Sequence, residues 1–298
     1  MSANNACQLA VIVVNYQTRD DLRNCLDSIF ASAQRTPYEV WVVDNASLDG
    51  SATMVARRYP QVRLIALDRN VGFARANNEA IRRSRTDFVL LLNPDTIVSD
   101  HAFDDAIDFL RATPNAGMVS CKLVKADGTL DLACRRSFPS AFDGFCRAVG
   151  LSKLFPRSRR FARYNLTFLD ENETQEVDAV NGAYMMVKRR TIDEVGLLDE
   201  RYFMYMEDLD WCFRFRERGW RIYYHPTRTV IHLKGQSGKK HSTKMIRAFF
   251  ESMELFCRYN YMPRQSKIVA AATVLGIRTW RELTLFRNAV RREKRVTP

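Results

Sequence analysis

At 298 residues, with 46 % hydrophobic and 27 % charged side chains, the chain is long enough for one large α/β domain or two small ones, and its composition excludes wholesale disorder. The net charge of +12 is unevenly spread: residues 1–100 carry 11 basic and 11 acidic side chains, residues 101–200 carry 14 and 15, and residues 201–298 carry 21 and 8. A neutral body with a basic end points to an anionic surface or ligand at that end, unless the tail is only a solvated basic face.

"LAVIVVNY" is a continuous apolar, β-branched run, the pattern of a buried parallel strand. Thr18 stands three residues before Asp21, a capping-box spacing, and opens a predicted helix with Leu22, Cys25, Leu26 and Ile29 on one face. "YEVWVVDNAS" reads as the second strand, "SATMVARRY" as a helix, "VRLIAL" as the third strand, "FARANNEAIRRS" as a helix and "DFVLLLNPD" as the fourth strand. This alternation predicts an α/β fold with a doubly wound, mostly parallel sheet flanked by helices. No Gly-x-Gly-x-x-Gly follows the first strand, which disfavours dinucleotide binding of the usual kind. After Asp100 the pattern weakens. "GMVSCKLVKADGTLDLAC" predicts a strand and an Asp-Gly turn; residues 135–175 read as a mobile loop or insertion. "VDAVNGAYMMVKRR" predicts a strand with Gly182 inside it, where a ligand or another backbone approaches closely. "WRIYYHP" and "TVIHLKGQS" predict two short strands, and helical spacing returns from His241, with Met245, Phe249, Met253 and Phe256 on one face.

Open α/β sheets bind ligands at the carboxyl ends of their strands. Here Asn15 and Tyr16 end the first strand, Asp44 and Asn45 the second, Asn70 follows the third, and Asn93 and Asp95 end the fourth. Single residues of these types mark turns, but four strand ends of this kind predict a shared crevice. Asp44 is suited to a nucleobase imide or ribose hydroxyl, or else belongs to a helix cap with its neighbours Ser47 and Asp49. "NVGFARANN" leads through Gly72 into a helix N-terminus, which faces a pyrophosphate or only forms a tight turn. Asp95 suits a magnesium or manganese ion bridging a diphosphate, or else an Asn-Pro-Asp turn. His232 is a second metal ligand if the fold brings it to Asp95, and otherwise a core or surface histidine. The Gly-, Ser- and Lys-rich stretch from Lys234 to Lys240 would suit a phosphate-contacting loop.

"FMYMEDLDWCFRFRERGW" sets Glu207, Asp208 and Asp210 among aromatics before a predicted helix that stops at Gly219. Negative charge is favoured at a helix start, which accounts for one of these acids. Asp208, walled by Phe203, Tyr205 and Trp211, is the candidate general base, with Glu207 orienting it or an acceptor hydroxyl. Gly182 and Trp211 are the acceptor-side candidates.

The seven cysteines are odd in number and scattered, which argues for reduced thiols in a cytoplasmic setting. The apolar run Leu9–Val14 is too short for a signal peptide, and no stretch reaches the roughly 18 apolar residues of a spanning helix. Residues 264–298 combine a short apolar run with Trp280, Phe286 and many arginines. They predict a basic amphipathic extension, either lying on the anionic inner face of the cytoplasmic membrane or packing on the domain.

Seven segments in this order, "VIVVNY", "VVDNASLDGS", "NVGFARANN", "LLLNPD", "VNGAYMMVKR", "FMYMEDLDWCFR" with "RGW", and "VIHLKGQS", resemble glycosyltransferase family 2, the inverting enzymes of GT-A fold, and within it a rhamnosyltransferase-like bacterial branch. The resemblance spans residues 9–237. It implies a catalytic domain over residues 1–240 and transfer of a sugar from a nucleotide-diphosphate donor to a hydroxyl of a glycan or lipid-linked glycan. It also implies nucleoside contacts at Asn15 and Asp44, a donor pocket shaped by Asn70 and Gly72, a divalent metal at Asp95 and His232, and Asp208 as base. Asn93 stands where the family's Asp-x-Asp motif has its first acid. The branch favours dTDP-rhamnose, with UDP-galactofuranose and UDP-hexosamines as alternatives. Two other classes fit the sequence less well. A nucleic-acid-binding protein is disfavoured because the basic charge is confined to one end and no nucleic-acid motif is visible. A sugar nucleotidyltransferase is disfavoured because "NYQTRDD" replaces a Gly-rich phosphate loop.

Overall fold

The computed structural model describes residues 7–233 and 243–296, and side chains as far as residue 290. The stretch Lys234–Lys240 and His241 lie outside the described residues.

The apolar runs become the centre of a nine-stranded sheet. β1 (Leu9–Asn15) is buried along its whole length, as its seven-residue run without a solvent-facing alternation requires. It pairs in parallel with β2 (Tyr38–Asp44) on one side and β4 (Phe88–Leu92) on the other, and β3 (Arg63–Ala66) continues the sheet beyond β2. The crossovers are α1 (Arg19–Ala31), α2 (Ser51–Arg58) and α3 (Phe73–Arg83). Leu22, Cys25, Leu26 and Ile29 of α1 are its buried face, as their spacing predicted. Its capping box does not form: Thr18 makes no cap hydrogen bond, and its hydroxyl donates instead to Asn15 Oδ1 at 2.7 Å.

Beyond β4 the sheet turns mixed. Its order is β3-β2-β1-β4-β8-β6-β9-β5, using β5 (Thr96–Ile97), β6 (Ala116–Val124), β8 (Tyr184–Lys188) and β9 (Arg221–His232), with β7 (Gln175–Val177) also pairing with β9. β8 runs antiparallel to both β4 and β6, and only β6–β9 is parallel in this half. The parallel expectation therefore holds for the first four strands alone. α4 (Ala102–Ala112) joins β5 to β6.

Three local expectations are corrected. The two short strands predicted around Pro226 are one strand, β9. Its pairing with β6 skips from Tyr224 to Thr229, so Pro226 sits where no ladder bond is lost. Gly182 lies just before β8, not inside it. Residues 135–175 are anchored: they carry α5 (Ala141–Ala148), capped by Ser140 and Asp143, and α6 (Leu151–Leu154). Arg135 is buried there, donating to the carbonyls of Leu169 and Asp170 and stacking its guanidinium on Tyr224.

α7 (Arg189–Val195) and α8 (Glu207–Glu217) follow β8, and Gly219, at φ +82°, ends the turn after α8. α9 (Thr243–Phe256) packs into the core through Phe256, with Phe249 and Met253 against it. α10 (Lys267–Val296) lies on α9, where Trp280 meets Phe250 edge to face and Arg278 pairs with Glu254. The expected boundary between residues 240 and 241 falls outside the described residues, and α9 beyond it shares the core of the sheet domain.

Candidate active site

The ends of β1 and β2 are locked together. In register with each other, Asn15 and Asp44 join through Asn15 Nδ2 to Asp44 Oδ1 at 2.9 Å, and Asn15 Nδ2 also donates to Ser47 Oγ. Asp44 Oδ2 accepts from the Ser47 N–H at 2.9 Å. With Thr18 on its oxygen and no exposed surface, Asn15 has no donor left for a nucleoside, so its side chain is framework for the rim and not a ligand contact. Asp44 is 2 % exposed and retains lone pairs beside its two hydrogen bonds.

Asn45 shapes the turn after β3. Its amide donates to Asn70 Oδ1 and to the Gly72 carbonyl, and accepts from the Val71 N–H at 2.8 Å. Gly72 has φ +87°, and a Cβ there would sit 2.4 Å from the Phe203 carbonyl oxygen. That same carbonyl accepts from the Phe73 N–H at 2.9 Å, so the first N–H of α3 is already satisfied by protein. The tight turn expected of "NVGFARANN" forms here. Gly72→Ala should lower stability by at least about 1–3 kcal/mol, read as a shifted urea midpoint, from backbone strain plus the clash.

The end of β4 delivers Asn93 and Asp95, and β5 pairs Thr96 with His232 at the end of β9. The Leu233 N–H donates to the Asp95 carbonyl, which brings His232 Nε2 to 3.1 Å from Asp95 Oδ1. Asn93 Nδ2 lies 3.4 Å from the same ring nitrogen. His232 Nδ1 lies 2.9 Å from Asp131 Oδ2, a buried carboxylate that also accepts from the Ala133 N–H. Burial of the imidazole favours its neutral form, but the hydrogen bonds to Asp131 and Asp95 outweigh it and raise its pKa. With Nδ1 on Asp131, Nε2 is the nitrogen that faces Asp95, the orientation a metal-binding histidine needs. Among the described residues no group of three or more acidic, Cys or His side chains is spaced to cage a metal. One carboxylate and one imidazole side by side fit a divalent ion that draws its other ligands from a diphosphate and water.

The start of α8 carries the acids. Asp208 Oδ2 pairs with Arg136 Nη2 at 2.5 Å, and both side chains are largely buried. The same guanidinium nitrogen donates to the Val180 carbonyl at 2.7 Å. Burial, and next the Asp208 charge beside it, push the Glu207 carboxyl well above the ordinary carboxylate range; its Oε2 has no hydrogen-bond partner among the described residues. Because the unfolded chain loses this proton first, Glu207 subtracts stability progressively as pH rises from the ordinary carboxylate range toward the raised value. Glu207→Gln should flatten that slope in urea unfolding followed across pH. Asp210 is structural: it pairs with Arg214 at 2.8 Å and accepts from Tyr202 and Asn260.

One acceptor-side expectation, Trp211, is corrected. Trp211 has no exposed surface and donates its indole N–H to the Gly196 carbonyl, so it faces the core beside α7 and not a ligand. The close approach at Gly182 comes from the Phe73 ring, 3.2 Å from where a Cβ would stand. These contacts nevertheless tie the parts together. The Asn93 N–H donates to the Ala183 carbonyl, Val180 holds Arg136, and Arg136 holds Asp208. Phe203, five residues before Asp208, closes on Gly72 and Phe73. The residues missed in the sequence are Arg136 and Asp131. Arg136 looked like one more cation in a basic insertion, and Asp131 like the end of an Asp-Gly turn.

The carboxylate–imidazole pair at the ends of β4 and β9 and the paired aspartate at the start of α8 are thus joined through residues 180–183 and Arg136. Residues 7–250 match the model described as glycosyltransferase-like family 2, and the chain belongs to that family. It is 30 % identical over 259 residues, 83 % of each chain, to the N-acetylglucosaminyl-diphospho-decaprenol L-rhamnosyltransferase of Mycobacterium tuberculosis. It is 24 % identical to rhamnosyltransferase WbbL of Escherichia coli, over 81 % of this chain and 89 % of that one. Among solved structures, a mannosyltransferase from Pyrobaculum calidifontis in complex with GDP-mannose and manganese superposes with TM-score 0.54 at 18 % identity, over 95 % of this chain and 86 % of the other. A fragment of TarS from S. aureus in complex with UDP-GlcNAc gives 0.58 at 16 %, over 91 % and 71 %. The fold is that of the GT-A glycosyltransferases, and the protein is a glycosyltransferase.

Proposed function

We propose that the protein transfers a sugar, rhamnose from dTDP-rhamnose in the first instance, to a hydroxyl of a lipid-linked glycan, with inversion at the anomeric carbon. The observation that carries the reading is the Asp95–His232 pair at 3.1 Å, linked through residues 180–183 and Arg136 to Asp208. The acceptor oxygen attacks the anomeric carbon as its proton passes to Asp208; the bond to the diphosphate breaks, and the nucleoside diphosphate leaves with the electron pair. Magnesium or manganese held by Asp95 and His232 would offset the charge that grows on the leaving diphosphate. Arg136 and the Leu209 N–H, 2.8 Å from Asp208 Oδ1, fix the carboxylate's direction. Asp44, Asn70, Gly72 and Asn93 line or shape the donor side, and Glu207 supports Asp208 from behind. The relatives named for rhamnosyl transfer support the donor and the diphospho-decaprenol relative supports the acceptor. The UDP-GlcNAc complex keeps UDP-sugars as the second donor class. A thermal-shift screen of nucleotide sugars with manganese tests this: dTDP-rhamnose should raise the melting temperature most, and a flat response to every nucleotide sugar would refute it.

We further propose that α10 rests on the anionic inner face of the membrane. No helix among the described residues is long and apolar enough to cross a bilayer. Yet Ile268, Leu275, Leu283, Phe286 and Val290 are exposed, and their spacing sets them on one side of the helix, opposite Ile277, which faces α9. The exposed Arg287 flanks them, a combination that suits an anionic interface. Leu275→Glu/Phe286→Glu should abolish co-sedimentation with phosphatidylglycerol vesicles; unchanged binding would exclude the helix as the contact.

A further inference from the structure

Between α9 and the segment that leads into α8 lies an open cavity of about 590 Å³. Its wall carries Lys244 and Arg247 from α9 and Arg201 from the facing segment, with Phe203, Ser252 and Leu255 completing it. Arg201 is already engaged, paired with Asp199 and stacked on Tyr259. Lys244 and Arg247 have no carboxylate partner within ion-pair distance among the described residues. Lys244 lies instead over the Phe203 ring, at 5.9 Å. Glu251 also lines the cavity without reaching either cation.

The position of the cavity ties it to the reaction. Ser252 Oγ donates to the Met204 carbonyl at 2.8 Å, fastening α9 to the residues that run directly into Glu207 and Asp208. Phe203 lines the cavity with its side chain while its carbonyl closes the Gly72 turn on the donor side. Tyr205 and Met206 follow with φ of +70° and +65°, a sharp left-handed turn that leads directly into the start of α8. A group held here rests against Phe203 and α9, beside the segment that runs into Asp208. Two unpaired cations above an apolar wall match a small polyanion on a hydrocarbon chain.

We infer that Lys244 and Arg247 bind the diphosphate of an isoprenoid-diphosphate-linked acceptor, placing its sugar hydroxyl at Asp208. This rests on the acceptor class proposed above, so its test measures binding and not turnover. Farnesyl diphosphate is titrated calorimetrically into the full chain and into the Lys244→Gln/Arg247→Gln variant, whose changed side chains are exposed and leave the core intact. The double variant should weaken the probe by about tenfold or more while binding dTDP with manganese as before, and excess dTDP should not displace the probe. Farnesol should bind neither protein measurably. Equal affinity in the variant, displacement by dTDP, equal binding of farnesol, or no binding to the unaltered chain would each overturn the inference. So would loss of phosphatidylglycerol-vesicle binding in the variant with farnesyl diphosphate affinity intact, which would assign the two cations to the membrane. If dTDP and UDP fail to bind while the variant still loses the probe, the cavity stands and the donor reading falls.

Discussion

Asp208→Asn should reduce sugar transfer by about 10²–10⁴-fold while leaving nucleotide binding unchanged. Asparagine keeps the size of the side chain and, with its single acceptor oxygen, can still accept from one of Arg136 and the Leu209 N–H, which meet separate carboxylate oxygens at 2.5 and 2.8 Å. What it loses is the capacity to take the acceptor's proton. A Glu207→Gln variant separates the two acids: Glu207 is buried and its carboxyl is held toward the neutral form, so an amide there should cost far less turnover. Full activity in Asp208→Asn, or equal losses in both variants, would remove Asp208 from the role of base.

Arg136→Met should lower stability by about 3–5 kcal/mol, the cost of leaving a buried carboxylate without its partner. The guanidinium serves both Asp208 and the Val180 carbonyl, and its own backbone pairs with Ala179 in both directions. Adding Asp208→Asn to Arg136→Met should recover part of the loss, because the unpaired charge is then gone. Urea unfolding of the two single variants and the double variant measures this coupling. Strictly additive losses would mean that the ion pair contributes nothing beyond its separate halves.

The parallel half of the sheet was legible because continuous β-branched runs and helical spacing are local signals, and β1 through β4 follow them. The antiparallel half was not, because β8 inserts between β4 and β6 through pairings that no local pattern encodes. Pro226 argued for a break in β9, which the skipped pairing with β6 absorbs. The sequence pattern put Asp44, Asn93 and Asp95 at strand ends, where the fold has them. The meeting of His232 with Asp95 depends on β5 pairing with β9, a contact across more than a hundred residues. Trp211 misled because an indole beside acids reads equally well as a sugar platform and as core; only its burial and the bond to Gly196 decide. Asn15 misled in the same way, its amide being consumed by Asp44 and Ser47. Arg136 gave no signal at all, since a buried arginine and a solvated one look alike in a basic stretch.

In the proposed reaction a divalent ion and a departing diphosphate meet at the Asp95–His232 pair, which residues 180–183 and Arg136 connect to Asp208. Anomalous diffraction from crystals grown with dTDP and manganese tests it most directly. The account places the manganese peak against Asp95 and His232 Nε2, with diphosphate oxygens as its other ligands. A nucleotide bound with its metal away from both side chains would contradict it.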